Sequence, residues 1–134
     1  VWNDYHFCDW GVTDLEVTNR SLEKFKANLD ILSGIPRVIV GIHHVPTRYL
    51  LYPVRSLVPV HWRFCNSFLG STKYQRLFSL YPNVEAVFCG HIHNKKTIRI
   101  KGVPYTSNGS AKKKRFLVVY DAEKQNIQNH VFGF

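Results

Sequence analysis

Two short apolar runs, each ending in histidine, constrain this chain more than any other feature of its sequence. Arg37–Ile42 (RVIVGI) and Val84–Cys89 (VEAVFC) have the length and β-branched character of strands buried on both faces. The first runs into His43-His44 and then Pro46, the second into Gly90-His91-Ile92-His93. Helical periodicity precedes each run. Leu22, Phe25, Leu29 and Leu32 recur at helical spacing, with Asn19 or Ser21 as the cap and Gly34 and Pro36 as the stop. Tyr74, Leu77, Phe78 and Tyr81 mark one face of a second helix, from about Ser71 to Tyr81, closed by Pro82.

After His93 the period changes from helical to alternating. Lys96–Lys101, Val103–Ser107, Phe116–Tyr120 and Ile127–Phe132 read as strands, with turns at Gly102 and Asp121–Lys124. Residues Val1–Val17 read as extended. Tyr49–Gly70, with Pro53, Pro59 and many aromatics, is a connection long enough to carry function or short elements of its own. The sum is a layered α/β architecture in which a helix-connected sheet passes into an antiparallel meander. A length of 134 residues, 45% of them hydrophobic, suits one packed domain over residues 1–134 and argues against disorder.

No apolar run reaches the ~20 residues of a membrane-spanning helix. The start, Val1-Trp2-Asn3-Asp4, lacks the basic stretch and apolar core of a signal peptide, and the chain has no methionine. It reads as a piece of something longer or a processed product. Three cysteines, Cys8, Cys65 and Cys89, show no Cys-x-x-Cys spacing and no disulfide framework. Cys89 is most simply a small buried hydrophobe. Free thiols lean towards a reducing, cytoplasmic compartment.

The balance of 18 Lys and Arg against 9 Asp and Glu gives +9 with histidines neutral. Such a surplus attracts anions: a phosphate ester, nucleic acid or an acidic membrane surface. A merely soluble basic face has the same composition.

Histidine placement is more informative. Of seven histidines, His43, His44 and His91 lie immediately beyond the carboxyl ends of the two strands. Ligands of open α/β sheets sit in the crevice beyond those ends, and imidazole is the commonest metal ligand. A His-x-His pair on a turn can direct two rings at neighbouring ions, about 3.5–4 Å apart, that clamp a phosphoryl displacement. One strand-end histidine is more often a hydrogen-bonded structural residue. The same placement on two successive strands, beside a glycine that allows close backbone approach, points to a site.

These residues resemble the calcineurin-like metallophosphoesterases. That family ends with a strand followed by His-x-Pro, then a strand followed by Gly-His-x-His. Val38–Pro46 (VIVGIHHVP) looks like the first and Val84–His93 (VEAVFCGHIH) like the second. The later segment from Gly102 to Ala111 (GVPYTSNGSA), returning to Gly-Ser-Ala, is similar as well. The resemblance covers the chain from about Thr18 onwards. It implies an α/β/β/α sandwich, of which this chain supplies the C-terminal half.

It also implies two divalent ions, of Mn, Fe or Zn, and hydrolysis of phosphomonoesters or phosphodiesters. His44, two before the proline, and His91 would share one ion, and His93 would bind the other. His43 would orient His44 or touch the substrate as a catalytic neighbour; the adjacent pair leaves the choice of ligand between His43 and His44 open. Arg48, His61 and Asn108 are the substrate-side candidates, with a surface role for Arg48 and a core-covering role for His61 and Trp62 as the plainer alternatives.

The family's Asp-x-His, Gly-Asp and Gly-Asn-His motifs have no counterpart here. Asp4-Tyr5-His6 matches Asp-x-His only in letters, without a buried strand before it. The carboxylate ligands would therefore come from a missing N-terminal half or a partner chain, and this chain alone would be inactive. Two other functions suit the sequence. One is a non-catalytic scaffold subunit of the same fold. The other is a basic nucleic-acid-binding domain, although Lys112–Arg115 (KKKR) lacks interleaved aromatics.

Overall fold

The computed structural model describes residues 11–51, 69–109 and 115–132. The first helix, α1, spans Asp14–Ile31. Its start lies five residues before the earlier of the two expected caps. Thr13 and Glu16 form a capping box: the Glu16 amide donates to Thr13 Oγ1 at 3.3 Å, and the Thr13 amide donates to Glu16 Oε2 at 2.9 Å. Those bonds from Thr13 also hold the Glu16 carboxyl below its ordinary pKa. Apolar periodicity does not show this first turn, because its Leu15 is exposed. Asn19 and Ser21 are interior positions of the helix, and residues 14–17 are helical rather than extended.

Further along α1, Leu22, Phe25 and Leu29 reach the core. Phe25 packs edge-on against Tyr74 and Phe78, with ring centroids 5.8 and 5.7 Å away. Both belong to helix α2, Thr72–Phe78, capped by Ser71. This helix ends three residues before Tyr81, whose hydroxyl instead donates to Asp30 of α1 at 2.6 Å. Phe78 is almost fully buried, and its truncation to alanine should cost about 3–5 kcal/mol.

The sheet has the order β1-β2-β4-β3. Strands β1 (Val38–Ile42), β2 (Val84–Cys89) and β4 (Val103–Asn108) are parallel, and β3 (Lys95–Ile100) is antiparallel to β4. Lys101 and Gly102 join β3 to β4 with φ of 49° and 86°. Two successive left-handed residues make the tight turn that matches strand twist.

Two expectations are corrected here. The C-terminal strands do not form one meander: β4 inserts beside β2, while β5 (Arg115–Asp121) and β6 (Asn126–Phe132) make a separate two-stranded sheet. Nor is β1 buried on both faces: Val38 and Val40 are in the core, but Ile39 on the opposite face is 53% exposed. Among the described strands β1 is also an edge of its sheet, paired only with β2.

The β5–β6 hairpin is fastened at the amino ends of β1 and β2. Arg37 Nη1 donates to Ala122 O at 2.6 Å, Gln125 Nε2 to Glu85 Oε1 at 3.1 Å, and Arg99 Nη2 to Gln125 O at 2.9 Å. Two buried oxygens in this joint, Glu85 Oε2 and Tyr120 Oη, lack a hydrogen bond of good geometry. Burial, and then the nearby Glu85 carboxylate, raise the Tyr120 phenol above its ordinary pKa. Over the described residues the fold is thus mixed α/β, with a mixed sheet and two α-helices. None of the described helices is long and apolar enough to cross a membrane.

Candidate functional site

Strand direction decides which side chains meet. Because β1, β2 and β4 are parallel, their carboxyl ends share one edge of the sheet, and the antiparallel β3 begins there. That edge gathers His43-His44, the Gly90–His93 turn, Asn108 and Lys95. The Gly90 amide donates to His43 O at 3.1 Å. A Cβ on Gly90 would stand 3.3 Å from His43 Nδ1, tighter than ordinary contact, so the glycine admits the His43 ring.

The structure brings His43, His44 and His91 together. Their ring centroids are 5.3 Å apart for His43–His44, 5.0 Å for His43–His91 and 5.1 Å for His44–His91. His43 Nε2 and His91 Nδ1 are 3.0 Å apart, so without an ion between them one carries the shared proton. His44 and His91 are half-buried, whereas His43 and His93 are exposed.

The turn that presents His91 is anchored by the residue after it. Ile92 is 1% exposed; its amide donates to Gly90 O at 2.7 Å, and its carbonyl accepts from Ser107 Oγ at 3.2 Å. With Ile92 fixed inward, His91 adopts φ 62°, in the left-handed region that disfavours residues with a Cβ by about 1–2 kcal/mol. Non-glycine residues held this way cluster at functional sites. Burial pushes the Cys89 thiol just before the turn up to about 12, in keeping with a small hydrophobe.

Asn108 lies at the expected edge, paired in register with Lys95, and is exposed. Arg48 lies in a short 3-10 turn, Arg48–Leu50, with its guanidinium 5.0 Å over the Tyr49 ring and donating to Tyr49 Oη at 3.3 Å. His61, Trp62, Asp4 and His6 are outside the described residues, as are Lys112 to Lys114.

Sequence reasoning passed over Tyr49, Lys95 and Lys96. Lys96 Nζ donates to Tyr49 O at 2.8 Å, tying the 3-10 turn to β3. The signal was available: no Asp or Glu occurs between Asp30 and Glu85, or between Glu85 and Asp121. Both histidine segments lie in those acid-free stretches, so the local field is positive. The same fact limits metal binding. Among the described residues, no set of three or more His, Cys, Asp or Glu side chains converges to hold an ion. The close His43–His91 pair can supply two donors, and further ligands have to come from outside those residues.

No family model matches the chain, and no curated protein matches it, so the site is read on its own geometry.

Proposed function

We propose that the chain provides the histidine side of a metal-dependent phosphoesterase site, hydrolysing phosphomonoesters or phosphodiesters within a metallophosphoesterase-type sandwich. One observation carries this reading: His43 Nε2 and His91 Nδ1 stand 3.0 Å apart beyond the ends of adjacent parallel strands. Two imidazole nitrogens about 2.1 Å from one ion stand between about 3.0 and 3.4 Å apart, for octahedral and tetrahedral angles respectively. His43 rather than His44 then shares an ion with His91, and His44 packs against both rings. His93, in the same turn, is the candidate for a second ion.

Carboxylates from outside the described residues complete the donor set and balance its charge, supplied by further sequence or a partner chain. A divalent ion in such a site supplies a hydroxide-generating Lewis acid at neutral pH. The chain's own cations, Lys95 foremost, would hold the anionic ester over the histidines. Manganese, iron and zinc all suit imidazole and carboxylate donors.

The test is elemental analysis of the full protein, with the sequence or partner that supplies the carboxylates, together with hydrolysis of a chromogenic phosphodiester in added manganese, repeated on His91→Ala and His43→Ala. Joint loss of metal and hydrolysis in both variants supports the reading. Hydrolysis that persists in both, or that chelation leaves untouched, contradicts it.

A further inference from the structure

Tyr49 is 50% exposed beside a site rich in cations, although aromatic side chains usually bury their rings. Its position is fixed from several directions. Leu50 and Thr47 on either side are buried, Thr47 Oγ1 accepts from the Tyr49 amide, and Lys96 Nζ holds its carbonyl. The hydroxyl accepts from Arg48 Nη2, and the Arg48 guanidinium lies over the ring. A guanidinium–aromatic pair of this kind is half of a stacking arrangement to which a flat, electron-rich ring can add.

Its location ties it to the histidines. Lys96 pairs in register with Ser107, and Ser107 Oγ donates to Ile92 O inside the Gly90–His93 turn. Tyr49 is therefore connected, through one lysine side chain and one strand pair, to the turn that carries His91 and His93.

We propose that the site takes a nucleic-acid phosphodiester, with Tyr49 as the platform on which the base next to the scissile phosphate stacks. This rests on the phosphoesterase reading for the place of the phosphate. The acid-free stretches around both histidine segments, and the overall +9 charge, supply the matching field for a polyanion. A base in a duplex has both faces covered, so the ligand is single-stranded. Tyr49 is a binding residue here and takes no chemical part.

Fluorescence anisotropy in EDTA tests this without relying on hydrolysis. The probes are a labelled single-stranded oligodeoxynucleotide and an abasic oligomer of the same length and charge. Wild-type protein should bind the oligodeoxynucleotide more tightly. Tyr49→Ala should weaken that binding on the order of 5- to 100-fold, the loss of one base stack. Binding of the abasic oligomer should change less than about twofold, because phosphate contacts are kept. Tyr49→Phe, which keeps the ring and removes only the hydroxyl, should bind like wild type.

The proposal is overturned if wild type binds both oligomers equally or neither, or if Tyr49→Ala weakens both to the same extent. Base-dependent binding without any metal-dependent hydrolysis by the full protein, its carboxylates supplied, would remove the phosphoesterase reading and leave the stacking platform. Hydrolysis without base dependence would do the reverse.

Discussion

The two ends of the parallel strands β1 and β2 use polar side chains in opposite ways. At the amino ends, Arg37, Glu85 and Gln125 are engaged with one another and with the hairpin backbone. Each cation has a carboxylate or carbonyl to meet, and the result is a joint between two sheets. At the carboxyl ends, three imidazoles face one another, and neighbouring sequence holds no acid at all. One end pairs opposite charges within the fold; the other gathers imidazoles in an acid-free stretch. On the proposed reading the imidazole cluster is the functional end and the joint is the structural one.

Substitutions at the two ends should therefore separate activity from stability. The largest effect is expected at the carboxyl end. His91→Ala or His43→Ala should lower metal-dependent phosphodiester hydrolysis at least ~100-fold, since loss of a mere supporting contact at a metal site costs about 10–100-fold. Their urea midpoints should stay near wild type. At the amino end, Glu85→Ala removes the acceptor of Gln125 Nε2 and the carboxylate beside Arg37, which keeps its bond to Ala122 O, and should cost about 0.5–1.5 kcal/mol in urea unfolding. Metal binding should be unaffected. If Glu85→Ala abolished metal binding while His91→Ala unfolded the protein, the contrast between the ends would collapse.

A smaller effect sharpens the same comparison. His91→Gly removes the Cβ from a residue at φ 62° and should be about 1 kcal/mol more stable than His91→Ala. Both variants should be equally inactive. Gain of stability with loss of function at one position would show that the turn is strained for the sake of the imidazole.

The smallest effect is on the alkaline limb of stability. Tyr120 titrates higher in the fold than in the unfolded chain, because burial and Glu85 disfavour the phenolate. A group with a raised folded value contributes stability below its unfolded value, near 10, and loses it as pH rises through the folded one. Wild type should thus lose stability above about pH 10, and Tyr120→Phe should show a shallower decline in thermal melts across that range.

Much of this was legible in the sequence, for reasons that differ by element. The run Val84–Cys89 is a strand from end to end because it is apolar at every position but Glu85 and bounded by Asn83 and Gly90. The histidines could be placed because strand ends project to one edge wherever strands run parallel. The start of α1 was missed because Thr13 and Glu16 signal it through hydrogen bonding, while hydrophobic spacing begins only at Leu22. The insertion of β4 between β2 and β3 was not legible. Alternation marks a strand but not its neighbours, and pairing is decided by long-range contacts such as Val87 with Tyr105. The close meeting of His43 with His91 depends on Gly90 and on the left-handed backbone at His91, neither of which spacing alone reveals.

The most direct test is a calorimetric titration with zinc or manganese of the full protein, with the sequence or partner that supplies the carboxylates, as wild type and as His43→Ala, His91→Ala and His130→Ala. His130 is exposed on β6, away from the cluster, and serves as the control. The account predicts that wild type and His130→Ala take up the ion and that His43→Ala and His91→Ala do not. Uptake that survives in both cluster variants, or that is absent from wild type, would contradict it.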